Sequence, residues 1–212
     1  MSGNVQLYYI TDRTQIKSTS LRDYIGKAIR AGVEWVQIRE KDLPARDLLA
    51  LTEAAATEAR GPGGGQTRVV VNDRLDVALA ARAHGVHLGA HSMPAAVARR
   101  LAPHGLLVGV SCHSLGQAQE AQTAGADYIL LGPIFETPSK LQYGPPLGIA
   151  MLREVTRQVS IPIFALGGIT PERAGDCVEN GATGIAGIRM FQDCDSIAGL
   201  VKDLRAGTAG WA

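Results

Sequence analysis

Five polar side chains in this chain have the chemistry needed to bind a diphosphate. Arg39 and Lys41 follow one short apolar run, Asn72 and Asp73 follow the next, and Lys140 follows a later one. Cationic and amide nitrogens donate hydrogen bonds to phosphate oxygens, whereas a carboxylate oxygen is a ligand that Mg²⁺ prefers. These residue types therefore predict a diphosphate site that also uses Mg²⁺.

A second anion site is predicted near the end of the chain. Gly167 and Gly168 allow backbone N–H groups to approach a phosphate closely, and Thr170-Pro171 marks the start of the helix that follows. Arg189 adds a cation beyond the last apolar run. Two anion sites suit a reaction that joins two small phosphorylated substrates with loss of pyrophosphate.

Eight short apolar runs supply the elements that must position these residues. Each run is nearly continuous rather than alternating, as expected for parallel strands buried on both faces. Segments with helical spacing of apolar residues separate them. The runs are Leu7–Thr11, Trp35–Ile38, Arg68–Val71, Gly85–Leu88, Leu107–Val110, Tyr128–Leu131, Pro162–Leu166 and Gly184–Ile188.

A strand–helix unit repeated eight times predicts an α/β fold of the (β/α)8 TIM-barrel type, with residues 1–212 as a single domain. The active site of such a barrel lies at the C-terminal ends of the strands. An open doubly wound sheet is the alternative, but the first turn, Thr11-Asp12-Arg13, lacks its glycine-rich motif. Glycines at Gly32, Gly85, Gly125 and Gly181 are expected to end helices in a left-handed conformation.

Composition narrows the class of protein further. Of the 212 residues, 46% are hydrophobic and 19% charged, and the formal net charge is +1. No basic cluster suggests a nucleic-acid partner, and no apolar run is long enough to span a membrane. The cysteines at 112, 177 and 194 form neither a disulfide framework nor a metal motif, so a cytoplasmic location is expected. The sequence leaves a homo-oligomer open.

An ordered set of short motifs resembles the thiamine phosphate synthase family. The resemblance runs from about Tyr8 to Met190, and although any one motif is weak, the ordered set is specific. The motifs are Gln37-x-Arg39-Glu40-Lys41, Val71-Asn72-Asp73, Val86-His87-Leu88-Gly89, Gly109-Val110-Ser111-x-His113, Gly132-Pro133, Thr137-x-Ser139-Lys140 and Gly167-Gly168-Ile169.

This resemblance implies a condensation of hydroxymethylpyrimidine diphosphate with thiazole phosphate. Pyrophosphate would leave first, helped by Mg²⁺, Arg39, Lys41 and Lys140, and the thiazole nitrogen would capture the resulting carbocation. The resemblance places the pyrimidine diphosphate on Gln37, Arg39, Lys41, Asn72, Ser111 and Lys140, the thiazole phosphate on Thr137, Ser139, Gly168, Ile188 and Arg189, and the metal on Asp73.

Two positions depart from the family pattern. Ser92 stands where the family usually has an aspartate as second Mg²⁺ ligand, and a neutral hydroxyl is a much weaker ligand. Arg189 stands where the family tends to have serine. The absence of a carboxylate at Ser92 points to a sister group, the thiazole tautomerases. In that group a histidine matching His113 is the expected general acid and base.

Each candidate also has an interpretation without catalysis. Asp73 could cap the helix that follows it, the Arg39-Glu40-Lys41 run could be a solvated surface, and His87 is as compatible with a buried structural role as with a ligand. A functional role is favoured for His113 because it follows a strand end beside Ser111.

A third alternative is a binding protein built on a barrel that has lost its activity. The many polar residues at the strand ends argue against this alternative.

Overall fold

A computed structural model describes residues 5–16, 20–63, 65–137 and 145–208 of the chain. Its eight parallel strands form one closed barrel in which every strand pairs with its neighbours in sequence and β8 returns to β1. The strands are β1 (Gln6–Ile10), β2 (Trp35–Ile38), β3 (Arg68–Asn72), β4 (Gly85–Leu88), β5 (Leu107–Cys112), β6 (Tyr128–Leu131), β7 (Ile163–Leu166) and β8 (Gly184–Gly187). The predicted TIM barrel is confirmed, and each predicted strand overlaps an observed one.

Helices cover the outside of the barrel in alternation with the strands. A 3₁₀ turn, Arg13–Gln15, follows β1. The helices are α1 (Leu21–Arg30), α2 (Ala45–Arg60), α3 (Leu75–Ala80), α4 (Ala95–Leu101), α5 (Leu115–Thr123), α6 (Gly148–Gln158), α7 (Pro171–Glu179), α8 (Arg189–Gln192) and α9 (Ile197–Thr208). Within the described ranges, none combines the length and apolar character that a membrane crossing needs.

Two separate hydrophobic clusters lie on the two faces of the barrel wall. The outer cluster joins aliphatic strand residues such as Val36, Val71 and Ile129 to the helices. The inner cluster fills the barrel and is largely aromatic, with the Trp35 and Tyr128 rings 4.7 Å apart. Its buried members are Tyr8, Ile10, Trp35, Val70, Tyr128, Leu130, Phe164 and Ala186.

The predicted helix-ending glycines are confirmed at three of four positions. Gly32, Gly125 and Gly181 have φ values of +85°, +84° and +91°. The prediction for Gly85 is wrong, because Arg82 takes the left-handed position at the end of α3, with φ +51°. Gly85 is instead the first residue of β4, where a Cβ would lie 2.4 Å from a carbonyl oxygen of β5. A glycine near a helix end can therefore serve strand packing instead.

Candidate active site

The barrel brings the predicted site residues to one mouth, because all eight strands point the same way. Strand register places Asn72 of β3 beside His87 of β4. Ser139 and Lys140 lie outside the described residues. The other candidates lie in the last two residues of their strands or in the loops that follow: Gln37, Arg39, Lys41, Asn72, Asp73, Ser92, Ser111, His113, Thr137, Gly168, Ile188 and Arg189.

A chain of hydrogen-bonded side chains crosses the floor of this mouth. Alternation along the strands explains its position, since Gln37 and Asn72 each lie two residues beyond an inward-facing member of the inner cluster. The bonds join Asn72 to Gln37 at 3.0 Å, Gln37 to Tyr8 at 3.3 Å, Tyr8 to Tyr128 at 3.0 Å, Tyr128 to His87 at 3.3 Å, and His87 to Ser111 at 2.9 Å. We call these six residues the floor relay.

His87 is the buried titratable group of the floor relay, with 2% of its surface exposed. Burial lowers the pKa of its imidazole to about 3, and the nearby Arg39 cation adds to the effect. Burial also raises the pKa values of Tyr8 and Tyr128 above their usual value. The imidazole is therefore neutral and both phenols keep their protons at neutral pH.

The segment after β2 is anchored by a buried carboxylate. Glu40 is 5% exposed and accepts hydrogen bonds from the Thr11 hydroxyl at 2.6 Å and from the backbone N–H of Arg13 at 3.0 Å. The Arg39 backbone N–H donates to the same Thr11 hydroxyl at 2.9 Å. Burial raises the pKa of Glu40, although these hydrogen bonds oppose the shift. The run is thus fixed in place and is not simply a solvated surface.

Arg39 and Lys41 are the two cations that this anchored segment presents. Arg39 is half-buried and Lys41 is exposed. Among the described residues, neither forms a salt bridge, whereas the neighbouring Arg13 is paired with Asp42 at 2.7 Å. Two cations at a barrel mouth that form no salt bridge with the described residues can attract an anionic ligand.

Asp73 occupies a backbone conformation that side chains rarely adopt, with φ +67°. Its N–H donates to the carbonyl of His87 at 2.9 Å, which holds the turn against β4. Helix α3, which starts two residues later, has no side-chain cap, so the capping interpretation fails. The Asp73 carboxylate is exposed and has no hydrogen-bond partner in the described part of the chain. Such strained positions cluster at functional sites.

Ser92 lies beyond the next strand and already has a structural bond. Its hydroxyl accepts the N–H of Gly89 at 2.7 Å, and its own N–H donates to the Gly89 carbonyl at 3.1 Å. The described residues contain no cluster of three or more His, Cys, Asp or Glu side chains able to hold a metal ion. One carboxylate and one hydroxyl suit a Mg²⁺ ion only if substrate phosphate oxygens and water complete its shell.

The glycine pair after β7 has left-handed backbone angles, with φ +97° at Gly167 and +64° at Gly168. A Cβ at Gly168 would lie 2.4 Å from the carbonyl oxygen of Glu136, so close packing against the β6 loop alone requires glycine there. The Gly168 carbonyl accepts a hydrogen bond from Arg173 at 3.1 Å. Its N–H has no acceptor in the described ranges and remains available to a phosphate.

Arg189 and His113 follow β8 and β5, which are three strands apart around the mouth. Arg189 is exposed and is the first residue of the short helix α8, directly after Ile188. His113 is exposed, and its Nδ1 forms a short hydrogen bond with the carbonyl oxygen of Gly132. Since a carbonyl only accepts, Nδ1 carries the proton and Nε2 faces away from that bond. This tautomer is the one a general base at Nε2 would need.

The sequence did not identify Tyr8, Tyr128 or Glu40 as site residues, and it left open whether His87 is structural or functional. Each strand is a continuous apolar run in the sequence, so the pattern does not show which residues face inward. In the structure Tyr8 and Tyr128 face inward and their neighbours face outward. In β1, a Tyr two residues before the end of the strand was the one sequence feature that could have indicated a side chain near the mouth. Glu40 carried no such feature, since charged triplets after strands are commonly solvated.

Comparison with known proteins matches almost the whole barrel to a single protein family. A family model described as thiamine monophosphate synthase matches residues 7–191. A thiamine-phosphate synthase of Roseiflexus sp. is 42% identical over 185 residues, which cover 87% of this chain and 77% of the relative. A thiamine-phosphate synthase of Methanoculleus marisnigri is 40% identical over 199 residues, 94% of this chain and 93% of the relative. The solved thiamine phosphate pyrophosphorylase from Pyrococcus furiosus has a TM-score of 0.87 at 32% identity, covering 98% of this chain and 96% of that chain.

Proposed function

This chain belongs to the thiamine monophosphate synthase family, and we propose that it joins hydroxymethylpyrimidine diphosphate to thiazole phosphate at the barrel mouth. Thiamine-phosphate synthesis is the activity that the relatives' names share, and it makes the chain a transferase. The products are thiamine phosphate and pyrophosphate. The thiazole tautomerase alternative draws no support from the relatives compared above.

The observation that carries the residue assignment is the anchored pair Arg39 and Lys41 beside Asn72. Both cations lack salt-bridge partners among the described residues. The Asn72 carbonyl oxygen accepts from Gln37, which turns its amide nitrogen toward the mouth as a donor. Three donors on two neighbouring strands suit a diphosphate, with Lys140 as a further cation. Ser111 on β5 would contact the pyrimidine part of the same substrate.

Asp73 and Ser92 are the residues that would hold Mg²⁺. When bound, the ion would neutralise charge on the diphosphate leaving group. Asp73 contributes the only carboxylate of this pair, and its strained backbone directs it beyond β3. The hydroxyl of Ser92 retains one lone pair beside its bond from Gly89.

The thiazole phosphate would lie on the opposite side, at the ends of β6, β7 and β8. Thr137 and Ser139 supply hydroxyls, Gly168 supplies a backbone N–H, and the Ile188–Arg189 backbone begins a helix whose dipole favours an anion. The Arg189 guanidinium would add a cation to this phosphate site.

The reaction needs little acid–base chemistry from the protein. The bond between the pyrimidine methylene carbon and the diphosphate oxygen breaks, and its electron pair leaves with pyrophosphate. The lone pair of the thiazole nitrogen then forms the new carbon–nitrogen bond. Arg39, Lys41 and Lys140 stabilise the leaving charge, and the two anion sites hold the reacting atoms together.

Purified protein should form thiamine phosphate and release pyrophosphate from the two substrates only when Mg²⁺ is present. EDTA should abolish both signals and added Mg²⁺ should restore them. Synthesis that continues in EDTA would remove the metal role of Asp73 and Ser92. Conversion of thiazole carboxylate phosphate to its tautomer without any thiamine phosphate would instead establish the tautomerase, with His113 as its acid and base.

We further propose a cytoplasmic location and a single folded domain for residues 1–212. The cytoplasmic location is supported by Cys112, Cys177 and Cys194, which are all free thiols. Fractionation of the source cells would test the location, and limited proteolysis yielding one resistant core would test the domain.

A further inference from the structure

Each of the two tyrosines in the floor relay has one hydroxyl proton, so each can donate only one hydrogen bond. Tyr8 donates its hydroxyl proton to the Gln37 carbonyl oxygen at 3.3 Å. It therefore has no proton left for the 3.0 Å contact with Tyr128, which Tyr128 must donate. Both phenols are fully buried, and no deprotonated form relaxes this restriction at neutral pH.

The direction continues through His87 to Ser111. With its proton given to Tyr8, the Tyr128 oxygen can only accept, so the His87 Nδ1 at 3.3 Å must carry the imidazole proton. A neutral imidazole has one proton, which leaves the His87 Nε2 as a lone pair. Ser111 must then donate its hydroxyl proton to Nε2 across 2.9 Å. Toward the mouth, the Ser111 oxygen can only accept.

Reversing every bond is the one other arrangement that satisfies each group. It would turn the Asn72 amide so that its carbonyl oxygen faces the mouth, where it would repel phosphate oxygens. An anionic ligand at Asn72 therefore selects the direction that runs from Ser111 to Asn72. The choice rests on the proposed function, since it is the diphosphate that requires a donor at Asn72.

We propose that the floor relay has this one direction, and that Tyr8, Tyr128 and His87 are positioning residues that make Ser111 a pure acceptor and Asn72 a pure donor toward substrate. Ser111 then selects a pyrimidine that carries an amino group on the side facing β5. A pyrimidine with an oxo group at that position would place two acceptors against each other and is rejected. Substrate recognition is thereby coupled across six strands.

The tautomer of His87 tests the direction once an anion occupies the site. ¹⁵N NMR of the protein saturated with inorganic pyrophosphate, with the His87 signals identified by their loss in His87→Gln, should show Nδ1 protonated and Nε2 bare. Protonation at Nε2 would overturn the proposal, because it is the signature of the reversed direction. This measurement can fail while thiamine phosphate is still made, so its failure is distinguishable from failure of the proposed function.

Tyr128→Phe tests the positioning role, with Tyr9→Phe as its matched control. Tyr9 faces the outer helices, packed against Tyr24 and Phe191, so it loses a hydroxyl outside the floor relay. We expect Tyr128→Phe to mix the two His87 tautomers and to raise KM for the pyrimidine diphosphate by up to about tenfold, while kcat changes little. Preference for the amino over the oxo pyrimidine should fall.

Equal kinetic and NMR changes in Tyr128→Phe and Tyr9→Phe would overturn the positioning role. Should Tyr128→Phe fail to fold, Tyr8→Phe breaks the neighbouring bond of the floor relay and carries the same expectations. An unchanged amino-over-oxo preference in a folded variant of either tyrosine would contradict the assignment of Ser111.

Discussion

The two faces of the barrel wall differ in chemistry although the same eight strands build both. The outer face is aliphatic and packs against helices through residues such as Val36, Val71 and Ile129. The inner face is aromatic in its lower part and polar at the mouth, where the floor relay lies. Because side chains alternate along a strand, adjacent residues such as Tyr8 and Tyr9 face different environments. The outer face stabilises the fold, while the inner face directs polar groups at the substrate.

Asp73→Asn should produce the largest effect on the inner side. Asn tolerates the left-handed backbone at φ +67°, so the fold is kept while the carboxylate charge is removed. We expect kcat to fall by about 10²–10³-fold, the range for losing one group that stabilises transition-state charge. Steady-state kinetics at saturating Mg²⁺ measure it.

The matched control is Asp76→Asn, three residues further along the same turn and helix. Asp76 forms an exposed ion pair with Arg74 at 2.6 Å and should leave kcat unchanged. Equal losses in both variants would show that charge near the mouth, and not the position of Asp73, accounts for the effect.

Ile129→Ala is the corresponding change on the outer face. Ile129 is fully buried in β6, and truncation should lower the free energy of unfolding by about 2–5 kcal/mol. The kcat of the folded fraction should stay near wild type, because Ile129 belongs to the outer cluster and not to the mouth. Urea unfolding measures the first quantity and an assay at low temperature the second.

Leu101→Ala is the control for that truncation, since Leu101 is 57% exposed on α4. It should change stability by less than about 0.5 kcal/mol. A kcat loss in Ile129→Ala as large as that of Asp73→Asn would contradict the separation between the two faces.

His87 should give the inner face a distinct dependence of stability on pH. Its pKa is about 3 in the folded chain against 6.5 when exposed, so the unfolded state binds one proton more between these values. Stability is therefore lost as pH falls through that window, by up to about 1.4 kcal/mol per pH unit from this group. Urea unfolding of wild type and His87→Gln between pH 4 and 6, a window of about two units, compares the slopes.

His87→Gln should show the shallower slope whatever its absolute stability. The exposed His104 is the control, and His104→Gln should keep the wild-type slope. Parallel slopes in all three proteins would mean that His87 is protonated inside the folded barrel.

Much of the fold and the mouth could be predicted from local patterns. Eight apolar runs, each short enough for one strand, predicted the barrel, and the position of Arg39, Asn72, Asp73 and Ser111 after those runs placed them at one end. The catalytic roles of these residues stay predictions. Alternation inside each run could not be resolved, because a strand buried on both faces shows no polar side.

The sequence by itself determined the barrel, the family and the residues available at its mouth, because strand length, helix stops and motif order are local properties of the chain. Only the tertiary structure decided how those residues connect. Closure of β1 against β8 brings Tyr8 and Tyr128 within hydrogen-bond distance across 120 positions of sequence. The pairing of β1 with β2 places Glu40 under the β1 loop, and the interior of the closed barrel buries His87. Burial and hydrogen-bond direction depend on neighbours far apart in the chain, so no local pattern encodes them.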